Sequence, residues 1–467
     1  MIPLAQAVFD IYALALPRGH GFGTSPPTGS WQSDDGQAFG VVRHDEETAR
    51  FGVLALRRRT DGVWAVVLDR SGLETAQAAL EVLRTELDRK ASPAPVPPGV
   101  PRRPPLFDLG GREPSRMIQL LAQPSHINVA RLLNELYLAL PKPDRNWASD
   151  CRGENFHTRL WEAQLLASFR EQGLHVEQPY ENPDFRIENR LGDSAWVEAV
   201  TANPPERYEP VDATPPLQPD DVDELFFGKA ALRFAKTIGN KLGRRYDALP
   251  HVAGAPSALA VADFHAPGSM VWSREALIGY LYAISARPEE IDGRRVPVSK
   301  SVTHLLGASG FPAGLLANDE HAELSAIIFT NACTTGKFNR MMVSAGAPDN
   351  GLRYTRYGKF YDRRAGVVDG IPFCLDVRGE DYRRLWPQRT EPWCAELEVF
   401  HNPFARHPLP RNLLPEATHW IQRNGEIVCR SHYKTNILWS RTLIQKQDAP
   451  VATYDTIASI LAGEAQT

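Results

Sequence analysis

Three carboxylates, Glu162, Asp184 and Glu198, fall within one stretch of the chain in settings that could bring them to a common point. Glu162 belongs to RLWEAQLLASFREQ (159–172), where Leu166 and Phe169 recur at helical spacing and Gly173 follows at a C-cap position. Four residues before Leu166, Glu162 puts an acid on the apolar face of that helix. An unpaired carboxylate is costly to bury, so Glu162 needs a metal, a base or a hydrogen-bonded partner, and an arginine satisfies it as well as an ion. Asp184 lies in NPDFRIEN, and Glu198 lies in the alternating strand AWVEAVTA (195–202) beyond a turn at Gly192 and Asp193. Alternation sets Trp196, Glu198 and Val200 on one side and Val197 and Ala199 on the other. A hairpin then brings Asp184 and Glu198 together from adjacent strands. Converging carboxylates repel one another and are best held by a hard divalent cation such as Mg²⁺ or Mn²⁺.

A basic segment follows, read as one helix over roughly 222–246. Its stripe of Leu225, Leu232, Ala235, Gly239 and Leu242 suits close packing on a sheet, with Lys229, Arg233, Lys236 and Asn240 one step round. From Lys229 to Arg245 there are six basic residues (Lys229, Arg233, Lys236, Lys241, Arg244, Arg245) and no acid. The whole chain carries a net charge of −4 with a pI near 6.4, unlike a protein that coats nucleic acid along its length. Within it, this helix offers a local positive field for phosphate oxygens, or else a solvated basic face.

These residues need elements to position them. The 467 residues exceed what one hydrophobic core usually serves, and 43% apolar with 23% charged residues is an ordinary globular composition. Residues 1–90 read as a small α+β unit: FGVLALRRR (51–59) and VWAVVLDR (63–70) flank Thr60-Asp61-Gly62 as a hairpin, and a helix follows at about 72–89. The opening MIPLAQAVFDIYALALPRG has no basic leader and reads as a first strand or helix. Proline-rich residues 91–106 form an extended linker. Residues 107–149 are helical, 150–265 hold the acids and the basic helix, and 266–467 extend the core. Within that extension 273–285 is a helix with a loop-rich insertion to about 320. LSAIIFT (324–330), ELEVF (396–400) and EIVCRSHY (426–433) are strands, and a last helix falls near 453–463. No stretch is long and apolar enough for a membrane helix, so no membrane partner is expected. The five dispersed cysteines fit reduced thiols in a cytoplasm.

Helix with an acid, hairpin with Pro183-Asp184 and then Glu198, basic helix, strand ALAVADF (258–264): this order resembles the α-β-β-β-α-β core of the PD-(D/E)xK, restriction-endonuclease-like nuclease superfamily. The run Glu162…Gly173…Pro183-Asp184…Glu198 is similar to the arrangement in its resolvase-like members, and the resemblance covers about 115 residues. It implies an α/β core in a chain that is α+β overall, with Asp184, Glu198 and Glu162 holding Mg²⁺ or Mn²⁺. Lys229, Arg233, Lys236, Arg244 and Arg245 would contact nucleic acid, DNA first. One departure stands out: the family's lysine belongs two residues after the second acid, where this chain has Val200. A basic residue from the following helix can replace it, which makes Lys229, Lys236 and Lys241 the substitutes.

The expected function is therefore a metal-dependent nuclease, in defence or repair, with the N-terminal unit contacting substrate or a protein partner. A catalytically inactive binding relative is the first alternative. A different hydrolase or interaction protein with its site in 320–445 is the second. Asp263 with His265, and His401 with Asn402, end apparent strands and fit turn and cap roles. His157 fits helix-start packing. TTGKFNR (334–340) lacks the GxxxxGK[ST] spacing of a phosphate-binding loop, and no GxSxG, HExxH or GxGxxG appears in the required setting.

Overall fold

The computed structural model describes residues 1–16, 27–89, 92–204, 219–307, 311–364, 370–386, 390–423 and 426–457. The protein is mixed α and β, with an eight-stranded sheet at its centre. Three strands open that sheet as an antiparallel meander: His175–Glu177, Phe185–Glu188 and Ser194–Ala202. Ser257–Asp263 joins the third strand in parallel, and Ala326–Thr330 adds in parallel beyond it. Leu397–His401 runs antiparallel to that strand, Thr418–Arg423 pairs in parallel with it, and Glu426–Arg430 closes the edge.

The middle strands SALAVAD and AIIFT are buried on both faces, as strands covered by helices on either side must be. Helix Phe156–Glu171 packs on the face presenting Val197, Ala199, Ala258, Ala260 and Ala262. Helices Val222–Phe227, Lys229–Leu242 and Ser273–Tyr282 cover the other face, over Val200, Ala202, Leu259 and Val261. The alternation expected for 195–202 is the one observed. Helix Phe156–Glu171 stops at Gly173, whose φ is +80°. There the Gly173 N–H donates to Arg170 and the Leu174 N–H to Phe169, a Schellman ending that turns the chain into the meander.

Several expected elements are redrawn. The single helix over 222–246 is two, broken at Gly228, and the second ends at Leu242. A Cβ at Gly228 would stand 2.2 Å from the Glu224 side chain and 2.4 Å from its carbonyl oxygen, so only glycine fits that corner. The buried face is wider than the expected stripe: Phe227, Ala231, Phe234 and Ile238 pack inward beside Leu225 and Ala235, Leu232 and Leu242 are part-buried against them, and Gly239 is exposed. The 72–89 helix shortens to Ala76–Leu87, because Leu73 ends a ten-residue strand and Thr75 caps the helix. Residues expected as loop after the 273–285 helix form a two-stranded ribbon, Ile284–Ile291 with Arg294–Ser301. The last expected helix, near 453–463, runs beyond the described residues after Ile457.

The described residues up to 89 include a five-stranded antiparallel sheet with Ala76–Leu87 on one face and Gln6–Tyr12 on the other. The hairpin around Thr60-Asp61-Gly62 is present, with Arg58 opposite Trp64 and Gly62 at φ +86°. This unit is also fastened to the main body. Arg58 and Trp64 both bond Glu135 of helix Ile127–Ala139, and Arg170 donates to the Leu14 carbonyl at 3.0 Å. At the other end, helix Thr335–Ser344 meets the sheet formed by Leu352–Phe360, Ile371–Asp376 and Ile437–Lys446. Lys337, Arg340 and Arg356 are buried there against Glu391 and Glu396. Thr442, Ser440, Tyr382 and the Pro392 carbonyl take up the remaining cation donors. All five cysteines are free.

Candidate functional site

The meander ladder ends with Phe185 opposite Val197, so Asp184 and Glu198 are the next positions of their strands, side by side. Beyond that point the backbones part. The Ala199 N–H, which would otherwise continue the ladder, donates to Asp184 Oδ2 at 2.7 Å. Asp184 therefore sits beside a second acid at a strand divergence. Burial, and then the charges of Glu198 and Glu162, hold the Asp184 carboxyl well above the ordinary aspartate range.

Glu198 is 3% exposed and reaches toward the basic helix. Its Oε1 accepts from Lys241 Nζ at 2.5 Å and from the Tyr246 hydroxyl at 3.1 Å. Its Oε2 is buried with no hydrogen-bond partner. Arg244 donates to the Tyr246 oxygen at 3.1 Å, which brings a second, exposed cation to the same edge. Among the three lysines that sequence left open, the structure brings Lys241 to the acids. Lys229 and Lys236 are exposed, and Lys236 lies over the Phe311 ring at 5.8 Å. Val200, two residues after Glu198, is packed in the core under the basic helix.

Glu162 takes the arginine partner that its buried position required. Arg159 Nη1 donates to both its oxygens at 2.8 and 3.0 Å, and the Trp147 indole donates to Oε2 at 2.7 Å. Arg159 also holds Asp144 at 2.7 Å and Asp150. Burial still pushes the Glu162 carboxyl up, against the pull of Arg159. Glu162 is therefore close enough to act on Asp184 through its charge, yet its oxygens are already occupied. Among the described residues, one group of three acidic or thiol ligand atoms lies within 4.8 Å: Glu171, Cys394 and Glu416. The expected trio of Glu162, Asp184 and Glu198 does not gather that tightly, and the pair Asp184–Glu198 is what converges. In the tighter group Cys394 donates to the Ser168 carbonyl and the Tyr433 hydroxyl donates to Glu416, so neighbours already engage it.

The remaining candidates take structural places. Arg233 lies near His265 rather than at the acids, and Arg245 pairs with Asp247 at 3.0 Å. Asp263 is buried and gathers His265 at 2.8 Å and Ser269 at 2.6 Å, stabilising the turn after its strand. His157 stacks on Phe264 at 4.0 Å, and burial lowers its pKa to about 4, the packing role expected. His401 contacts His419 at 2.8 Å, and Asn402 donates to the His321 and Leu324 carbonyls. Sequence reasoning missed Tyr246, Arg159 and Trp147. Arg159 stands one helical turn before Glu162 and was legible as its partner; Tyr246 had no periodic signal.

No protein-family model, curated protein or solved structure matches the chain. No helix among the described residues is long and apolar enough to cross a membrane.

Proposed function

We propose that the protein is a metal-dependent phosphodiesterase acting on nucleic acid, built on a restriction-endonuclease-like core. The observation that carries the reading is the meeting of Asp184, Glu198 and Lys241 from two diverging strands and the helix after them. The order of elements supports it: acid-bearing helix, three-stranded meander, basic helix and a fourth strand parallel to the third. Lys241 then stands where the missing lysine would act, supplied by the helix in place of Val200.

The donor set fits a hard divalent cation. Glu198 Oε2 is a buried anionic oxygen without a partner, and Asp184 beside it is held at raised proton affinity by burial and then by like charge, penalties that a cation offsets. Asp184 and Glu198 would hold Mg²⁺ or Mn²⁺, which supplies Lewis-acid stabilisation of charge on a scissile phosphate. Lys241 places an ammonium beside Glu198, where it can orient a water or offset charge developing on phosphate oxygens. Arg244 presents a guanidinium at the exposed rim, suited to backbone phosphates. Glu162 acts through its field on Asp184 rather than as a third ligand.

A second reading, an inactive nucleic-acid-binding relative, has one observation in its favour: Lys241 already neutralises Glu198 and Arg159 already neutralises Glu162. Cleavage of plasmid and single-stranded DNA with Mg²⁺ or Mn²⁺ decides between them. Cutting that disappears in both Asp184→Ala and Glu198→Ala supports the nuclease. Binding without cutting moves the assignment to the inactive relative, and cutting that survives both substitutions places the chemistry elsewhere.

A further inference from the structure

Next to the acids three rings are piled against one another. Tyr180 and His251 stack with centroids 3.8 Å apart and planes 16° from parallel. His251 meets Trp196 edge-on at 5.1 Å, and Tyr180 lies 6.0 Å from Trp196. Trp196 is 5% exposed and shares the face of Glu198 on the same strand, two residues away, which is about 7 Å along a strand. The His251 Nε2–H donates to the Asn182 carbonyl at 2.9 Å, in the segment that leads through Pro183 to Asp184. The pile is thus tied to both acids, through Trp196 to one and through Asn182 to the other.

Its outermost ring is only half covered by that packing. Tyr180 remains 52% exposed although the imidazole covers one of its faces. A ring clamped on one side and open on the other keeps little freedom to lose when a second flat group settles on it. Every nucleobase has such a flat face, and stacking on aromatic side chains is how proteins hold bases that have no partner strand. In a duplex those faces are already covered by neighbouring base pairs. The charge nearby agrees: Arg244 is exposed beside Tyr246, which bonds Glu198, so a phosphate at the acids meets positive charge.

We propose that Tyr180, backed by His251 and Trp196, is the stacking platform for an unpaired nucleobase adjoining the scissile phosphate, so that the substrate is single-stranded or frayed nucleic acid. This rests on the nuclease reading of the same site and narrows its substrate class.

Binding by the full-length protein tests it, with Ca²⁺ in place of Mg²⁺ so that cleavage does not interfere. The probes are a fluorescein-labelled single-stranded oligonucleotide and a blunt duplex of the same sequence. The wild type binds the single strand more tightly than the duplex. Tyr180→Ala weakens single-strand binding roughly five- to 150-fold, the range of one lost base–aromatic stack, and leaves duplex binding unchanged. Tyr180→Phe, which keeps the ring, binds within about twofold of wild type by the same reasoning. Unchanged Mn²⁺ affinity in Tyr180→Ala shows that the acids stay in place. Equal binding by wild type and Tyr180→Ala overturns the platform, as does a wild type that binds single strands no better than duplex or not at all. Cleavage is read separately with Mg²⁺. A Tyr180-dependent binder that never cuts sinks the nuclease and keeps the platform; a nuclease indifferent to Tyr180 does the reverse.

Discussion

Replacing Lys241 by methionine removes a charge while keeping an unbranched apolar stem of similar reach. The partner it abandons, Glu198, is 3% exposed, whereas the lysine side chain is 20% exposed. Breaking a fully buried pair costs about 3–5 kcal/mol and an exposed one about 0–1, so a pair with one buried and one part-exposed member should cost about 2. At roughly 2 °C per kcal/mol for a large domain, Lys241→Met should melt about 4 °C below wild type in metal-free buffer. Glu198→Gln in the same background removes the stranded charge. The double variant should therefore lie above the sum of the two single losses by more than 0.5 kcal/mol, roughly the scatter expected of independent sites. Mn²⁺ should bind Lys241→Met more tightly than wild type, because the competing ammonium is gone. Cleavage should nonetheless fall about 10²–10³-fold, the range for deleting one preorganised charge-stabilising donor. The assays are thermal denaturation, calorimetric Mn²⁺ titration and plasmid cleavage. Additive stability losses, or cleavage within tenfold of wild type in Lys241→Met, would refute the placement of this lysine as the missing basic group.

Other outcomes follow from the same contacts. Because the folded-state proton affinity of Asp184 is raised above its unfolded value, the metal-free fold holds more protons than the unfolded chain and loses stability as pH rises through the folded-state pKa. Asp184→Asn should flatten that loss and melt above wild type at neutral pH without metal, yet gain nothing from added Mn²⁺. Glu162→Gln should cost on the order of 1–3 kcal/mol, since Arg159 keeps Asp144 and Asp150 but loses its buried acid, while lowering Mn²⁺ affinity far less than Asp184→Ala; an equal loss makes Glu162 a ligand. Gly228→Ala drives a Cβ into Glu224 and should destabilise by more than about 2 kcal/mol in thermal denaturation. Lys337→Met leaves Glu391 and Glu396 buried with one cation fewer and should cost about 3–5 kcal/mol, measured as loss of soluble yield or of melting temperature.

Much of this site was legible in local sequence because its acids sit on elements with clear periodicity. Alternation along 195–202 fixed which side of the sheet Glu198 faces, since a period of two leaves no other choice once Val197 and Ala199 enter the core. Leu166 and Phe169 fixed Glu162 on a buried face in the same way, and burial forced the partner that Arg159 turned out to be. What local pattern leaves open is distance between elements. Lys229, Lys236 and Lys241 are equivalent in sequence, and only the break at Gly228 and the lie of the helix across the sheet bring Lys241 to Glu198. Of the expected stripe, Leu225, Leu232, Ala235 and Leu242 do pack on the core, and Gly239 is the member left exposed. Tyr180 and Trp196 belong to the meander whereas His251 follows the basic helix, and the three carry no shared period, so their stacking is a product of how those two segments fold together. Residue type and spacing determined which groups must be buried and on which face; tertiary packing decided which of them meet, because that depends on the angles between elements rather than on the pattern within any one.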